Sequence, residues 1–198
     1  MKYIKATCAT LAYILVLLTL YYVDVRFGKV NVVFYSALAC GLLAALICGA
    51  LLYWPRLFAE FSRFEKVLLT LIWVLGGYAF AISVPTVIDR SLSFYILEKL
   101  DQRGGGIRQD RFSDVFVKEY VVEHRLVDVR LTEQLESGTI VLDNGCVKLT
   151  EKGRELATAS RFFRRHLLPK HRLLLGQYTD DLTDPFRHSS QQVDYLCR

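Results

Sequence analysis

Five basic side chains, Arg161, Arg164, Arg165, Lys170 and Arg172, fall in one short stretch together with two histidines and no acid. Phe162, Phe163, Leu167 and Leu168 are interleaved with them. The chemistry open to this pattern is electrostatic: the cationic heads seek phosphate oxygens while the apolar side chains sink beneath them, as on an anionic lipid surface. Each such basic residue contributes about 1 kcal/mol near the surface. These five are therefore the expected membrane-interface residues, and anionic lipid is an expected partner. Pro169 is expected to break the segment into two short helical pieces. The rival uses are completion of a neighbouring core or a grip on an acidic protein face.

A second set, Asp128, Arg130, Glu133, Gln134 and Glu136, lies on a predicted helix over 127–136, where three acids stand against one arginine. Such a surface repels phosphate and suits docking of another protein. Enzymatic motifs are missing: the sequence has no Gly-x-Ser-x-Gly, no phosphate loop ahead of a Lys-Ser/Thr pair and no His-Glu-x-x-His. His124, His166, His171 and His188 stand apart from any second ligand at metal spacing, and the five cysteines form no Cys-x-x-Cys. Cys8, Cys40 and Cys48 fall in apolar runs, which leaves Cys146 and Cys197 outside them. Gly104-Gly105-Gly106 follows no strand, so it reads as a stop between helices rather than an anion nest. No metal, cofactor or catalytic residue is expected.

The elements that would carry these surfaces begin with membrane spans. At 198 residues and 53% hydrophobic content, the chain is too apolar for an ordinary soluble domain. Uncharged runs over 6–23 and 30–54, and a third over 67–88, are each long enough to cross a bilayer. The first reads as a span rather than a secretory signal, because Tyr21-Tyr22-Val23-Asp24 follows it instead of a small-residue cleavage site. In the second, Ala37, Ala39, Gly41, Ala44, Ala45, Gly49 and Ala50 allow close helix approach, toward either a partner subunit or the chain's own helices. Phe58, Phe61 and Phe64 are expected on an interfacial turn of helix, and Pro85 is expected to break or kink the third span.

Past the third span an amphipathic helix, 92–100, stops at the triple glycine, and a second and third helix follow. Two β-prone runs then surround Asp143-Asn144-Gly145, a tight hairpin turn. Leu149-Thr150-Glu151-Lys152-Gly153 comes next, with Thr150 suited to cap a final helix. Over 91–159 this order resembles a winged helix-turn-helix domain, in which a wing hairpin exits through "LT-x-x-G" into the last helix. The resemblance implies DNA binding through the third helix. The charges oppose it: 91–156 hold ten Lys/Arg against twelve Asp/Glu, and the presumed reading helix is acidic.

The expected architecture is thus a mainly α membrane protein: a three-span domain over 1–90, a small winged-helix (α+β) domain over 91–159, and a basic segment with a polar, irregular tail over 160–198. The expected function is that of a non-catalytic accessory or scaffolding subunit, docking another membrane protein or enzyme subunit, for instance in an envelope glycan or lipid assembly complex. The alternative is a membrane-tethered transcription regulator. Homo-oligomerisation stays open. Basic residues flanking the spans divide evenly between the two sides. The basic segment therefore decides the expected orientation, which puts the winged domain in the cytoplasm of a cell whose inner membrane holds the spans.

Overall fold

The computed structural model describes residues 2–54, 58–187 and 189. The chain divides into two compact units, Met1–Val129 and Arg130–Arg198. The first opens with helix α1 (Lys2–Phe27), α2 (Val33–Leu52) and α3 (Arg63–Ser83), followed directly by α4 (Pro85–Arg90). α1, α2 and the stretch Arg63–Arg90 are long and apolar enough to cross a membrane, as expected of an integral membrane protein. α1 and α3 run past their uncharged stretches into charged flanks. α2 is shorter than its run, beginning after an extended Val32. The Ser36 hydroxyl near its start donates to Asp24.

Pro85 acts as expected. Lacking a backbone donor, it begins a new helix, and Val84 between α3 and α4 departs from ideal helical geometry with ψ −79°. Bonds on either side carry the chain across, Val84 N donating to Phe80 O at 3.0 Å and Ile88 N to Val84 O at 3.1 Å.

The small residues of α2 are used inside the chain. Ala37, Gly41, Ala44, Ala45 and Gly49 are all buried, and α2 packs on both α1 and α3. The tightest approach is at Gly41 and Gly77. A Cβ on Gly41 would lie 3.0 Å from the Gly77 Cα and 3.2 Å from its carbonyl carbon. In lipid, where packing rather than water exclusion holds helices together, such contact is the main adhesive. Beside it the Tyr13 and Trp73 rings stack at 5.3 Å. Tyr13 Oη donates to Trp73 O at 2.6 Å and Trp73 Nε1 to Thr10 Oγ1 at 3.2 Å.

Phe58 and Phe61 correct an expectation. Both belong to the buried cluster of the first unit and lie on a turn rather than on a helix with an exposed apolar side, whereas Phe64 is exposed. The cause is local: Ser62 and Glu65 form a capping box that starts α3 afresh, so the described residues before it turn inward instead of extending a helix. Residues 55–57 of the same expected turn lie outside the described residues.

The rest of the first unit is helical. α5 (Leu92–Gln102) is capped by Ser91 Oγ, which accepts from Phe94 N. It ends at the triple glycine, where Gly104 and Gly105 take φ of +79° and +96°. After a 3-10 turn at Gln109–Arg111 come α6 (Phe112–Asp114), a π-helical stretch Val115–Tyr120 and α7 (Val121–Glu123). Tyr95, Val115 and Tyr120 form their core. The unit boundary falls within α8 (Leu126–Glu136).

In the second unit β1 (Ile140–Asp143) and β2 (Cys146–Leu149) pair antiparallel, Asp143 opposite Cys146. Asn144 and Gly145 both take positive φ, 50° and 78°, the geometry of the two-residue hairpin that the sequence predicts. Thr150 caps α9 (Glu151–His166), its hydroxyl accepting from Gly153 N at 3.1 Å. Two expectations change here. The basic segment is no separate piece, since its first half is the end of α9. After Pro169 the chain forms β3 (Arg172–Leu174), paired with β4 (Gln177–Thr179), rather than a second helical piece. Leu175 and Gly176 turn that hairpin at φ of 47° and 90°. The tail expected to be irregular from Tyr178 therefore begins within a strand, and a 3-10 turn follows at Asp181–Thr183.

Candidate docking and lipid-facing surfaces

The five basic residues divide between two elements. Arg161, Arg164 and Arg165 lie on the last turns of α9, Lys170 in the connection after it, and Arg172 on β3. Arg165 is held by Asp184 at 2.8 Å. Phe162 and Phe163 are 58% and 52% exposed, so they do not complete a core. His166 stacks on Phe162 with ring centroids 4.5 Å apart. The end of α9 thus offers aromatic and guanidinium groups together, as a lipid-facing surface requires.

The α8 residues are engaged locally. In the first unit, Arg125 pairs with Asp128 at 2.7 Å. In the second, Arg130 pairs with Glu133 at 2.8 Å, one turn along the helix. The backbone carbonyl of Gln134 accepts from both Thr139 N and Thr139 Oγ1 at 3.0 Å, which fastens the end of α8 to the start of the hairpin. Arg130, Glu133 and Gln134 therefore shape their own unit as well as its surface.

The hairpin presents a further surface that the sequence reading leaves unremarked. Ile140 pairs with Leu149 and Leu142 with Val147, and the period of two places all four on one face. Leu142, Val147 and Leu149 on it are 57%, 43% and 48% exposed. Among the described residues, no hydrophobic side chain of the second unit is fully buried; Thr139 and Gly153 are its buried residues. The alternation of apolar residues around the turn was the available signal, since an amphipathic hairpin in so small a unit must cover its apolar face with something.

A charged cluster in the first unit also escaped the sequence reading. Lys99 is 5% exposed and bonds Glu123 at 2.8 Å and Glu119 at 3.0 Å. Tyr95 Oη donates to Glu123 at 3.0 Å, and Arg103 holds Glu119 at 3.0 Å. The Glu123 hydrogen bond, then that of Glu119, raises the Lys99 ammonium above its ordinary value against the cost of burial. Lys99 lowers both glutamates, helped by Arg103 at Glu119 and by Tyr95 at Glu123. Burial first, then Glu123, pushes the Tyr95 phenol up. The signal lay in spacing: Tyr95 with Lys99, and Glu119 with Glu123, are four apart and share helical faces. A lysine saturated in this way is an anchor for α5, not a nucleophile.

Among the described residues no group of three or more His, Cys, Asp or Glu is placed to hold a metal ion. The fold and these surfaces define a chain with three potential membrane spans, a helical segment after them and a small unit that exposes much apolar area. Comparison with models of protein families, with curated proteins and with solved structures finds no match.

Proposed function

We propose that this chain is an integral-membrane accessory subunit whose second unit docks a partner protein through the apolar face of its first hairpin and the adjoining α9. The observation that carries the reading is the exposure of Leu142, Val147, Leu149, Phe162 and Phe163 in a unit with no fully buried hydrophobic side chain among its described residues. Large apolar side chains left exposed in so small a unit support an interaction site. Of the small residues of α2, Ala37, Gly41, Ala44, Ala45 and Gly49 are buried within the chain while Ala39 and Ala50 are exposed, which favours docking outside the membrane. There α8, with Asp128, Arg130, Glu133, Gln134 and Glu136, is a polar neighbour of the hairpin in sequence.

The basic end of α9 supports a second contact, with anionic lipid, through Arg161, Arg164, Lys170 and Arg172. No step of catalysis is assigned to the chain. Purification of the full-length protein in mild detergent, followed by mass spectrometry of the intact assembly, tests the reading. A stoichiometric companion is expected, and a monodisperse particle holding this chain alone would refute it.

A further inference from the structure

Arg165 differs from its basic neighbours at the end of α9, because the chain itself supplies it with an anion. Its Nη2 donates to Asp184 Oδ2 at 2.8 Å, a bond that spans 19 residues of sequence. Asp184 follows the 3-10 turn Asp181–Thr183, and that turn packs against α9. The turn is fixed by bonds of its own. The Asp180 carbonyl accepts from Thr183 N at 3.0 Å, from Thr183 Oγ1 at 2.7 Å and from Arg187 Nη2 at 2.9 Å. Arg187 Nε also donates to the Asp184 carbonyl at 3.4 Å, so one arginine ties the two ends. Thr179 Oγ1 donates to Asp181 Oδ2 at 2.6 Å and accepts from Asp181 N at 3.2 Å. None of these bonds uses the Asp184 carboxylate, which is held toward α9 by a frame that does not need it. From Asp180 to Arg187 the sequence holds three carboxylates against one arginine. A braced anion thus sits against the end of a basic helix, where a lipid phosphate would otherwise bind. The pair is also displaceable, since the Arg165 and Asp184 side chains are 53% and 35% exposed and such pairs hold weakly in water.

We propose that the acidic turn is a built-in competitor for anionic lipid: Asp184 occupies Arg165 and is displaced when lipid phosphates take its place. The inference rests on the lipid contact of α9 argued above and adds its control. With the turn docked, Arg161, Arg164, Lys170 and Arg172 face the lipid without Arg165, and the acidic side chains of the turn oppose the headgroups at close range. With the turn displaced, Arg165 joins them. One restored basic residue is worth about 1 kcal/mol near the surface, or about fivefold in lipid affinity. The contact therefore raises the share of anionic lipid at which the end of α9 engages the membrane.

The experiment uses the full-length chain in bilayer nanodiscs of phosphatidylcholine, alone or mixed with phosphatidylglycerol. Brief trypsin digestion is followed by mass spectrometry of fragments ending at Arg161, Arg164 and Arg165, and aspartate-to-asparagine changes leave all three cleavage sites in place. The native chain should be cut more slowly in the anionic discs. Asp184→Asn should be cut faster than the native chain in neutral discs, where Arg165 is set free, and more slowly in anionic discs, with a lipid effect about fivefold larger. Asp181→Asn makes the same charge change in the same turn without touching Arg165, and it should behave as the native chain does. Faster cutting of Asp184→Asn in both kinds of disc would make Asp184 a structural brace and overturn the competition. Equal slowing of both variants in anionic discs would overturn it too, by assigning the effect to net charge. A native chain indifferent to lipid charge would remove the lipid contact itself, and the competitor with it.

Discussion

Replacing Gly153 by alanine should loosen the second unit, although alanine is the better helix former. A Cβ at this position would collide with the Thr139 carbonyl oxygen and would stand 3.0 Å from its carbon and 2.8 Å from Leu149 Cδ1. The obstacle is backbone, so the start of α9 must move away. That movement strains the bonds converging on the Thr139 carbonyl, from Thr150 N at 3.1 Å and Thr150 Oγ1 at 3.0 Å, and the reach of Lys152 Nζ to Ser137 O at 2.6 Å. Loss of two or three hydrogen bonds at about 0.5–1.5 kcal/mol each outweighs a helix-propensity gain of about 1 kcal/mol. The net cost is about 1–3 kcal/mol, equivalent to exchange of the hairpin amides roughly 5- to 150-fold faster. Hydrogen exchange of the full chain in micelles, read on peptides covering 137–153, measures it. Thr150→Ala should give a smaller effect of about 1 kcal/mol by removing the cap, and Thr150→Ser should restore it. Exchange in Gly153→Ala as slow as in the native chain would refute the reasoning, for it would mean that α9 does not need to lie against Thr139.

The Lys99 cluster has a pH dependence of known sign. Glu119 and Glu123 have lowered values, so their contribution is complete above the ordinary glutamate value of 4.5 and is lost as pH falls through the depressed ones. The Lys99 value is raised, so its contribution is complete below 10.5 and fades only as pH rises through the elevated value. Proteolytic susceptibility around 95–124 should therefore rise steeply in acid, and Lys99→Met should raise it at neutral pH and flatten the acid response. Gly41→Val should part α2 from α3, lowering the thermal midpoint of the protein in detergent by several degrees, while Ala39→Val should change it little; equal effects would count against the Gly41 contact. Arg161→Glu with Arg164→Glu removes about 2 kcal/mol of lipid attraction before any repulsion is added. In proteoliposomes, cleavage near the end of α9 should then accelerate with anionic lipid and not with neutral lipid.

The parts of the fold legible in the sequence are those fixed by nearest neighbours along the chain. Uninterrupted apolar runs gave three helices, Asn144-Gly145 gave a turn with two positive φ angles, Pro85 a helix break, and Thr150 a cap whose partner is Gly153, three residues on. What escaped depends on distant contacts. Phe58 and Phe61 have the spacing of an interfacial helix, yet a capping box at Ser62 turns them into the core of the spans. Lys99 reads as a solvated lysine until Glu119 and Glu123 are brought against it from another helix. The small residues of α2 could serve a partner or the chain itself, and the register that sets Gly41 against Gly77 within the chain is not visible in the sequence. At the candidate surfaces, the chemistry of Arg161, Arg164 and Arg165 was legible as a cationic pattern, whereas the apolar face of Ile140, Leu142, Val147 and Leu149, signalled by alternation around the turn, is assembled by the strand register.

The two units are held together by different forces, and this separates binding from stability experimentally. The spans bury Trp73, Leu52 and a file of small side chains almost completely, so a polar substitution there leaves an uncompensated group in an apolar core and unfolds it. The second unit is fixed by hydrogen bonds around Thr139 and Thr150. Leu142, 57% exposed on the hairpin, carries little of that stability. Leu142→Asp should accordingly change the protection of the 137–153 amides by no more than about 0.5 kcal/mol, the range of ordinary surface substitutions. If the hairpin face is the docking surface, the same change should release the companion protein, because it places an unpaired carboxylate in the centre of a dry contact. Co-purification and hydrogen exchange on the same variant decide the matter. A variant that keeps both its fold and its companion would show that the partner binds elsewhere. One that loses its hairpin protection would show that Leu142 belongs to the unit's own core, and the exposed face would then have to be sought on α9, at Phe162 and Phe163.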